Sequence, residues 1–495
     1  MKKLLSLLAV IAMVFAMTLS VNAATVSVDG ELDGHTFGYY QILSGTQVAG
    51  DPSIGTPTWG SGINSTEFLD EIVSNVDGFA GVTDAATFAS KLSESADHSA
   101  IAEQVAKIAY KHVVGDATVI SEETTTVNPG YYLIVDTTAD LELEDAKNAA
   151  LLQITEKDDI VIGNKVSKPT IDKTVNGKKS DDVYIGEEVE MKLEATIPSM
   201  KYYAAYPIII EDIPAEGFVG MSLDLEREIK ILGKDADGNQ VEVNDFEYNW
   251  DLMENNSFRI IIQDLKGIAA INGIDVSKEI YIIVTYQTYL TSQADIGNDG
   301  NVNKVKLIYS SNPESDPESD DIEMNETVEK EVYVFTYQLE GTKVDGTDNT
   351  KKLSGATFVL KNSVGKYYKV TNGIVSWVDS EDDATVKTSN NNGIFTFTGI
   401  DQGTYTLVEL TPPAGYNKAP DQTVVITAEL SDTAITSLTN GTLADGKVSI
   451  NVLNYKGATL PETGGMGTTM LYIVGAALVV GAGVVLVSKK RMEEK

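Results

Sequence analysis

Short runs of β-branched and aromatic residues, separated by glycine, aspartate and asparagine, recur along most of this chain. Between residues 169 and 328 the separators include the Asp-Gly-Asn sequences at 237–239 and 299–301, which are typical of tight turns between antiparallel strands. Residues 332–456 repeat the pattern of short strands and turns. Because 495 residues exceed one compact core, the sequence predicts a mainly β protein with several β-sandwich domains in a row.

The segment 24–164 differs from the rest because it combines strand-like runs with a helical stretch. Strands are predicted at 36–43 and 131–136, and a helical stretch is predicted from about Asp84, a suitable N-cap, to His112. The predicted domains are therefore an N-terminal domain with some helix (24–164), a middle β-sandwich domain (165–331) and an all-β C-terminal domain (332–457).

The first 23 residues have the order of a secretory signal peptide. Two lysines precede an apolar run from Leu4 to Leu19, and small residues follow at Ala23 and Ala24. A retained membrane anchor is the rival interpretation, but the apolar run is short and a small-residue cleavage site follows it. We therefore expect export of the chain and removal of residues 1–23.

The segment 458–495 contains three parts in a fixed order: a pentapeptide, an uncharged apolar stretch at 470–488 and a basic tail. The apolar stretch is long enough to cross a bilayer, and the basic residues after it place that end in the cytoplasm. The pentapeptide is Leu460, Pro461, Glu462, Thr463 and Gly464. The whole segment resembles the cell-wall sorting signal of sortase substrates. The resemblance implies cleavage between Thr463 and Gly464 by a membrane-bound transpeptidase, which then joins Thr463 to another surface molecule.

Composition excludes several classes of function. Asp and Glu total 73 against 37 Lys and Arg, a net charge of −36 that repels nucleic acids and anionic membranes. There is no cysteine, and the three histidines (His35, His98 and His112) accompany no hydrolase, zinc or phosphate-loop motif. We therefore predict no enzyme activity, no cofactor and no metal. A calcium site in the acidic stretch 312–321 stays an open alternative, since clustered carboxylates without spaced ligands usually form only surface charge.

In the C-terminal domain three residues occur in distinctive sequence contexts: Lys343 in an early predicted strand, Glu409 in a Leu-Val-Glu-Leu-Thr-Pro-Pro run, and Asn454 in the final predicted strand. This domain resembles a CnaB-type domain of the collagen-binding-protein family, with an immunoglobulin-like sandwich. The resemblance implies an intramolecular isopeptide bond between Lys343 and Asn454, assisted by Glu409. Burial would favour this chemistry, because it lowers a lysine pKa and raises a carboxyl pKa.

The middle domain has the same order of residues, with Lys173, Asp212 and Asn303. It resembles the isopeptide-forming, CnaA-type middle domain of Gram-positive backbone pilins, which implies a second bond between Lys173 and Asn303. Asn303 is preferred to Asn312 because it begins an apolar alternation, whereas Asn312 precedes a proline in the acidic loop. Glu211 points to the opposite strand face from Asp212, so at most one of the two can be the buried acid of this site.

The N-terminal domain contains the sequence Gly-Tyr-Tyr-Leu-Ile-Val-Asp at 130–136, which is similar to the first domain of the same pilins. We assign no isopeptide bond to this domain, because its sequence offers no convincing set of a lysine, an acid and an asparagine. Backbone pilins carry a Tyr-Pro-Lys motif after this domain, whose lysine receives the threonine of the next subunit. Here Gly163 and Asn164 replace the first two residues. Lys165 is then the first candidate acceptor and Lys168 the second.

The resemblance implies a structural shaft subunit of a surface pilus, or fimbrium. Sortases would join Thr463 to Lys165 of the next, identical pilin and finally to peptidoglycan. The alternative is a monomeric cell-wall-anchored adhesin, or a basal or accessory pilin, that recognises a host or biofilm ligand. Either protein is secreted and attached to the cell wall, with transient membrane retention by residues 470–488.

Overall fold

The computed structural model describes residues 24–29, 34–47, 54–94, 98–120, 125–154, 160–163, 168–219, 227–253, 256–315 and 322–457. These residues confirm the mainly β fold with few helices. They belong to two compact units. The first unit contains the residues up to Thr336 together with Leu430–Thr436, and the second contains Tyr337–Glu429 and the residues from Ser437 onward.

Within the described ranges, no helix is both long enough and apolar enough to span a membrane. The signal peptide, the sorting signal at 458–495 with its apolar stretch at 470–488, and Lys165 all lie outside the described residues.

The N-terminal domain of the first unit is built on a sheet with the order β3-β2-β6-β7, with β4 also paired to β2. A smaller sheet has the order β5-β1-β8, in which β1 and β8 are parallel. The strands are β1 (Ala24–Asp29), β2 (Phe37–Gln47), β3 (Ile54–Trp59), β4 (Thr118–Val119), β5 (Thr125–Val127), β6 (Gly130–Asp136), β7 (Leu151–Ile154) and β8 (Ile160–Gly163). The strands predicted at 36–43 and 131–136 are therefore confirmed.

The helical stretch predicted from about Asp84 to His112 contains two helices in the described residues. Three helices pack against the sheet: α1 (Ser65–Asn75), α2 (Ala85–Glu94) and α3 (His98–Lys111). Asp84 does cap α2, since its Oδ1 accepts a hydrogen bond from the Thr87 backbone N–H at 2.8 Å.

The middle domain, also in the first unit, consists of two facing sheets. One has the order β14-β13-β17-β11-β9, and the other has the order β10-β20-β18-β12-β16-β15, with β19 beside β18. The strands are β9 (Thr170–Val175), β10 (Ser180–Asp182), β11 (Glu188–Ile197), β12 (Ile208–Pro214), β13 (Arg227–Lys234), β14 (Gln240–Val243), β15 (Asn249–Leu252), β16 (Phe258–Ile262), β17 (Ile280–Tyr289), β18 (Asn301–Ser310), β19 (Met324–Glu326) and β20 (Lys330–Phe335); a short helix, α4, spans Leu265–Ile271.

Alternating burial along these strands forms the core of the middle domain. Every second side chain of β11 and β17 is buried, as expected for strands with one face against a partner sheet. The rings of Phe258 and Tyr286, from opposite sheets, meet edge to face at 5.4 Å. The turn predicted at 237–239 joins β13 to β14, with Gly238 in the left-handed region at φ 90°.

The second unit is another pair of sheets. Their orders are β22-β21-β33-β32, with β27 beside β21, and β25-β24-β23-β28-β29, with β26 beside β23. The strands of these two sheets are β21 (Tyr337–Asp345), β22 (Asp348–Lys352), β23 (Thr357–Lys361), β24 (Tyr367–Thr371), β25 (Ile374–Val378), β26 (Lys387–Thr388), β27 (Ile394–Ile400), β28 (Gly403–Thr411), β29 (Gln422–Ile426), β32 (Gly441–Thr442) and β33 (Lys447–Asn454). Strands β30 (Ala428–Leu430) and β31 (Ile435–Leu438) pair only with each other, and the segment Leu430–Thr436 belongs to the first unit. Phe358 of β23 stacks on Phe395 of β27 at 3.9 Å between the sheets.

Candidate isopeptide sites

In the middle domain the structure brings Lys173, Asp212 and Asn303 together. Lys173 lies on β9, among inward-facing apolar residues, whereas Asp212 and Asn303 lie on β12 and β18 of the facing sheet. The antiparallel pairing of β12 with β18 sets Asp212 opposite Val305, two residues from Asn303. All three side chains are almost completely shielded from solvent. The site is therefore a polar cluster enclosed between two apolar sheet faces.

The amine of Lys173 contacts both partners. Its Nζ donates to Oδ2 of Asp212 and, at 2.6 Å, to Oδ1 of Asn303. A further contact at 3.3 Å reaches the backbone carbonyl of Lys304. The amine is thus in hydrogen-bond contact with the carboxamide group that it would have to attack.

Burial changes the protonation of this pair in opposite directions. It lowers the pKa of Lys173 to about 8, although the carboxylate of Asp212 opposes that change. It also raises the pKa of Asp212, against the lowering influence of Lys173. Both changes favour the neutral forms, because a low-dielectric site penalises charge. A neutral amine is a nucleophile and a neutral carboxylic acid can donate a proton.

Tyr286 is a fourth member of this site that the sequence reasoning missed. Its hydroxyl donates to Oδ1 of Asp212 at 3.1 Å and accepts from Nδ2 of Asn303 at 3.0 Å. It lies on β17, at an inward position of a strand whose other inward residues include Ile282 and Val284. The only sequence signal is a polar group within an apolar alternation, which is weak because tyrosine is common in strands.

Both Glu211 and Asp212 are buried, on opposite faces of β12. Glu211 is 8% exposed on the opposite face of β12, where it pairs with Arg259 of β16 at 2.6 Å. An ion pair with good geometry makes this burial tolerable. Only Asp212 faces Lys173. The Nδ2 of Asn312 donates instead to Glu323, away from the lysine.

In the second unit, Lys343, Glu409 and Asn454 are also buried together. Nδ2 of Asn454 donates to both carboxylate oxygens of Glu409 at 3.0 Å. Nζ of Lys343 donates to the backbone carbonyl of Val452 at 2.7 Å. Burial lowers the pKa of Lys343 to about 8.

Strand pairing explains this arrangement. Strands β21 and β33 are parallel neighbours, with Lys343 beside Val452 and Asn454 two residues further along. Glu409 comes from β28, in the other sheet. Among the described residues, Oδ1 of Asn454 has no hydrogen-bond partner although it is buried. A buried carbonyl oxygen without a donor is unusual, and it leaves one acceptor position open beside the lysine strand.

The proposed intermolecular linkage points are mostly outside the described residues. Lys165 and the 460–464 pentapeptide, including Thr463, belong to this group. Lys168 is described and exposed, with its Nζ 3.8 Å from Oδ1 of Asp145. Within the part of the chain that the structure describes, no group of three His, Asp or Glu side chains is arranged to hold a metal ion.

Two family models match the chain. Residues 337–442 match the SpaA prealbumin-like fold domain, and residues 453–494 match the LPXTG cell wall anchor motif. The first match includes Lys343 and Glu409, and Asn454 lies at the start of the second. The anchor match agrees with the sorting signal predicted from the sequence.

Two of the similar proteins come from Streptococcus pyogenes. The trypsin-resistant surface T6 protein of Streptococcus pyogenes serotype M6 is 24% identical over 401 residues, which is 66% of this chain and 70% of that protein. The solved structure of the T6 backbone pilin of the same serotype, described as modular with three domains, has a TM-score of 0.56 at 17% identity and covers 88% of this chain and 98% of that one. The comparisons confirm the resemblance to LPXTG-anchored Gram-positive backbone pilins, which are secreted and attached to the cell wall.

Proposed function

We propose that this chain is the shaft subunit of a covalently polymerised surface pilus. A sortase joins Thr463 of one subunit to a lysine of the next, with Lys165 the first candidate and Lys168 the second, and the last subunit is joined to peptidoglycan. The observation that carries the proposal is the pair of buried Lys, acid and Asn clusters in a chain that ends in an LPXTG anchor. The protein has a structural role and no enzyme activity.

Each cluster supports one internal isopeptide bond. The neutral amine of Lys173 adds to Cγ of Asn303, the bond from Cγ to Nδ2 breaks, and ammonia leaves. One proton moves from the attacking nitrogen to the departing nitrogen, with Asp212 as the acid and base, and no electrons are exchanged. The same balance applies to Lys343, Asn454 and Glu409. Each reaction occurs once per molecule, so it is a maturation step.

The bonds would suit a subunit under tension. The middle-domain bond would join β9, which follows the candidate acceptor lysines, to β18 across 130 residues. By analogy with a disulfide that closes a loop of this size, the constraint on the unfolded chain contributes about 4 to 5 kcal/mol. Force that enters near Lys168 would then pass through covalent bonds to β18 and leave the intervening loops unloaded.

Polymerisation is tested by releasing cell-wall proteins with a muralytic enzyme and separating them on a denaturing gel. Wild-type protein should give a ladder of covalent multimers, and Lys165→Ala should reduce it to monomer. Loss of the ladder in Lys168→Ala instead would assign the second candidate. Lys201→Ala is the matched control, because Lys201 is also an exposed lysine of the first unit, paired with Glu103 at 2.7 Å. A single monomer band from wild-type cells would reject the shaft and favour the adhesin or basal subunit.

A further inference from the structure

We propose that Tyr286 takes part in formation of the middle-domain bond, by orienting the carboxamide of Asn303 and relaying a proton from Asp212 to the departing nitrogen. This inference rests on the proposed isopeptide chemistry and adds a residue to it. It follows from the position of one hydroxyl group, which joins the acid to the nitrogen that must leave as ammonia.

The orienting role follows from the two ends of the Asn303 carboxamide. Nδ2 donates to the Tyr286 hydroxyl at 3.0 Å, and Oδ1 accepts from Lys173 at 2.6 Å. Rotation of the carboxamide by half a turn would turn Oδ1 away from the amine of Lys173 and break both of these hydrogen bonds. The hydroxyl therefore favours the orientation in which the departing nitrogen points away from the nucleophile.

The relay role follows from the two oxygens of Asp212. Oδ2 contacts the attacking amine of Lys173, and Oδ1 contacts the hydroxyl of Tyr286. When the amine adds to Cγ, Nδ2 loses its amide conjugation and gains a lone pair that can accept a proton. The tyrosine hydrogen can then turn from Asp212 to Nδ2, because a hydroxyl rotates to suit its partners.

The proton transfers balance. Once the tyrosine hydrogen has turned to Nδ2, neutral Asp212 gives the proton on its Oδ1 to the oxygen of Tyr286 and receives one from Nζ of Lys173 on Oδ2. Tyr286 passes its own proton to Nδ2, and ammonia departs with both relay groups again neutral. Burial holds the pKa of Tyr286 well above its ordinary value, so the phenol gives and receives protons together and does not become a phenolate.

The alternative to a relay is direct transfer from Asp212. Burial raises the pKa of Asp212, and its neighbours Lys173, Tyr286 and Asn303 only oppose that rise, so neutral Asp212 also has a proton to give directly. In the second unit direct transfer has a clear geometry, because Nδ2 of Asn454 already lies 3.0 Å from both oxygens of Glu409. The second unit therefore provides an internal reference without a tyrosine between the acid and the departing nitrogen.

The test follows ammonia loss by intact mass in the full chain, made by cell-free synthesis and quenched at intervals, with peptide mapping to assign each bond. Tyr286→Phe keeps the ring that packs on Phe258 and removes only the hydroxyl. We expect it to slow the middle-domain bond by roughly 10²-fold, the lower end for general acid–base catalysis, and to leave the second-unit bond at its wild-type rate. Tyr309→Phe is the matched control, since that buried hydroxyl donates to the Asp145 carbonyl at 2.9 Å, outside the site.

Middle-domain ammonia loss at the wild-type rate in Tyr286→Phe would overturn the role of Tyr286 while leaving the bond itself intact. Absence of ammonia loss in the wild-type chain would overturn the isopeptide chemistry and, with it, the role of Tyr286. A second measurement needs no variant and so does not depend on its folding. In D2O the middle-domain bond should slow more than the second-unit bond, because more protons move in its relay, and an equal slowing would contradict the relay.

Discussion

The two candidate sites contain the same kinds of residue in different starting positions. In the middle domain Lys173 already contacts Asn303, and the acid contacts the amine. In the second unit the acid holds the asparagine, and Lys343 contacts a backbone carbonyl. The difference follows from topology, since the middle-domain lysine faces its partners across two sheets, whereas Lys343 and Asn454 lie on adjacent parallel strands. The arrangement of strands thus decides which of the three side chains must move for the bond to form.

Removal of either acid should have the largest effect. Asp212→Ala should abolish the middle-domain bond and Glu409→Ala the second-unit bond, each leaving the other unchanged, because proton transfer to the departing nitrogen then has no carboxyl group. Intact mass should show one ammonia lost where wild type loses two.

Glu211→Ala is the matched control for Asp212→Ala. It removes a neighbouring buried carboxylate that pairs with Arg259 on the other face of β12. Its mass should equal that of wild type after allowing for the substitution. Loss of ammonia release in this variant would show that general damage to β12, and not the absence of the acid at Lys173, prevents the reaction.

The second prediction concerns stability. Asn303→Ala prevents the middle-domain bond. Because the unfolded chain then loses its cross-link and gains conformational entropy, the free energy of unfolding of that domain should fall by about 4 to 5 kcal/mol. For a domain of this size that corresponds to a fall of roughly 10 to 20 °C in the thermal midpoint. Differential scanning calorimetry should show the lowered transition.

Asn312→Ala is the control for Asn303→Ala, since it removes a buried asparagine that hydrogen-bonds Glu323 outside the site. Equal midpoints for the two variants would mean that the cross-link contributes nothing beyond an ordinary buried side chain.

The third prediction uses the lowered pKa of Lys343, which burial brings to about 8. Below that pH the amine is increasingly protonated and cannot act as a nucleophile, so the reactive fraction falls from about one half at pH 8 to about one hundredth at pH 6. Lowering the pH from 8 to 6 should therefore slow the second-unit bond roughly 50-fold. The rate of bond formation is measured by mass on newly synthesised chains. A rate that does not change between pH 6 and pH 8 would show that Lys343 does not lose reactivity by protonation in this range.

The sequence was sufficient for features that are local along the chain. Strand alternation identified the inward positions of Lys173 and Asn303, and the cap at Asp84 was visible from its residue type. The structure brings the three predicted residues of each site together, although the bonds themselves stay predictions. The burial of Glu211 against Arg259 and the contact of Tyr286 could not be read in this way, because both depend on register between strands far apart in sequence.

The smallest predicted effect is a difference in rate between the two bonds. Before Lys343 can attack Asn454, its amine must leave the carbonyl of Val452, to which it donates at 2.7 Å. A buried hydrogen bond of this kind contributes about 1 kcal/mol net, which corresponds to roughly a fivefold lower rate. Lys173 already contacts its carboxamide at 2.6 Å, and its own backbone contact, to the Lys304 carbonyl, is the longer one at 3.3 Å, so less hydrogen bonding is lost there. The middle-domain bond should therefore form first when both are followed by peptide mapping in the same wild-type chain at pH 8. A second-unit bond that forms first would mean that the hydrogen bonds between Asn454 and Glu409, and not the position of the lysine, determine the relative rates.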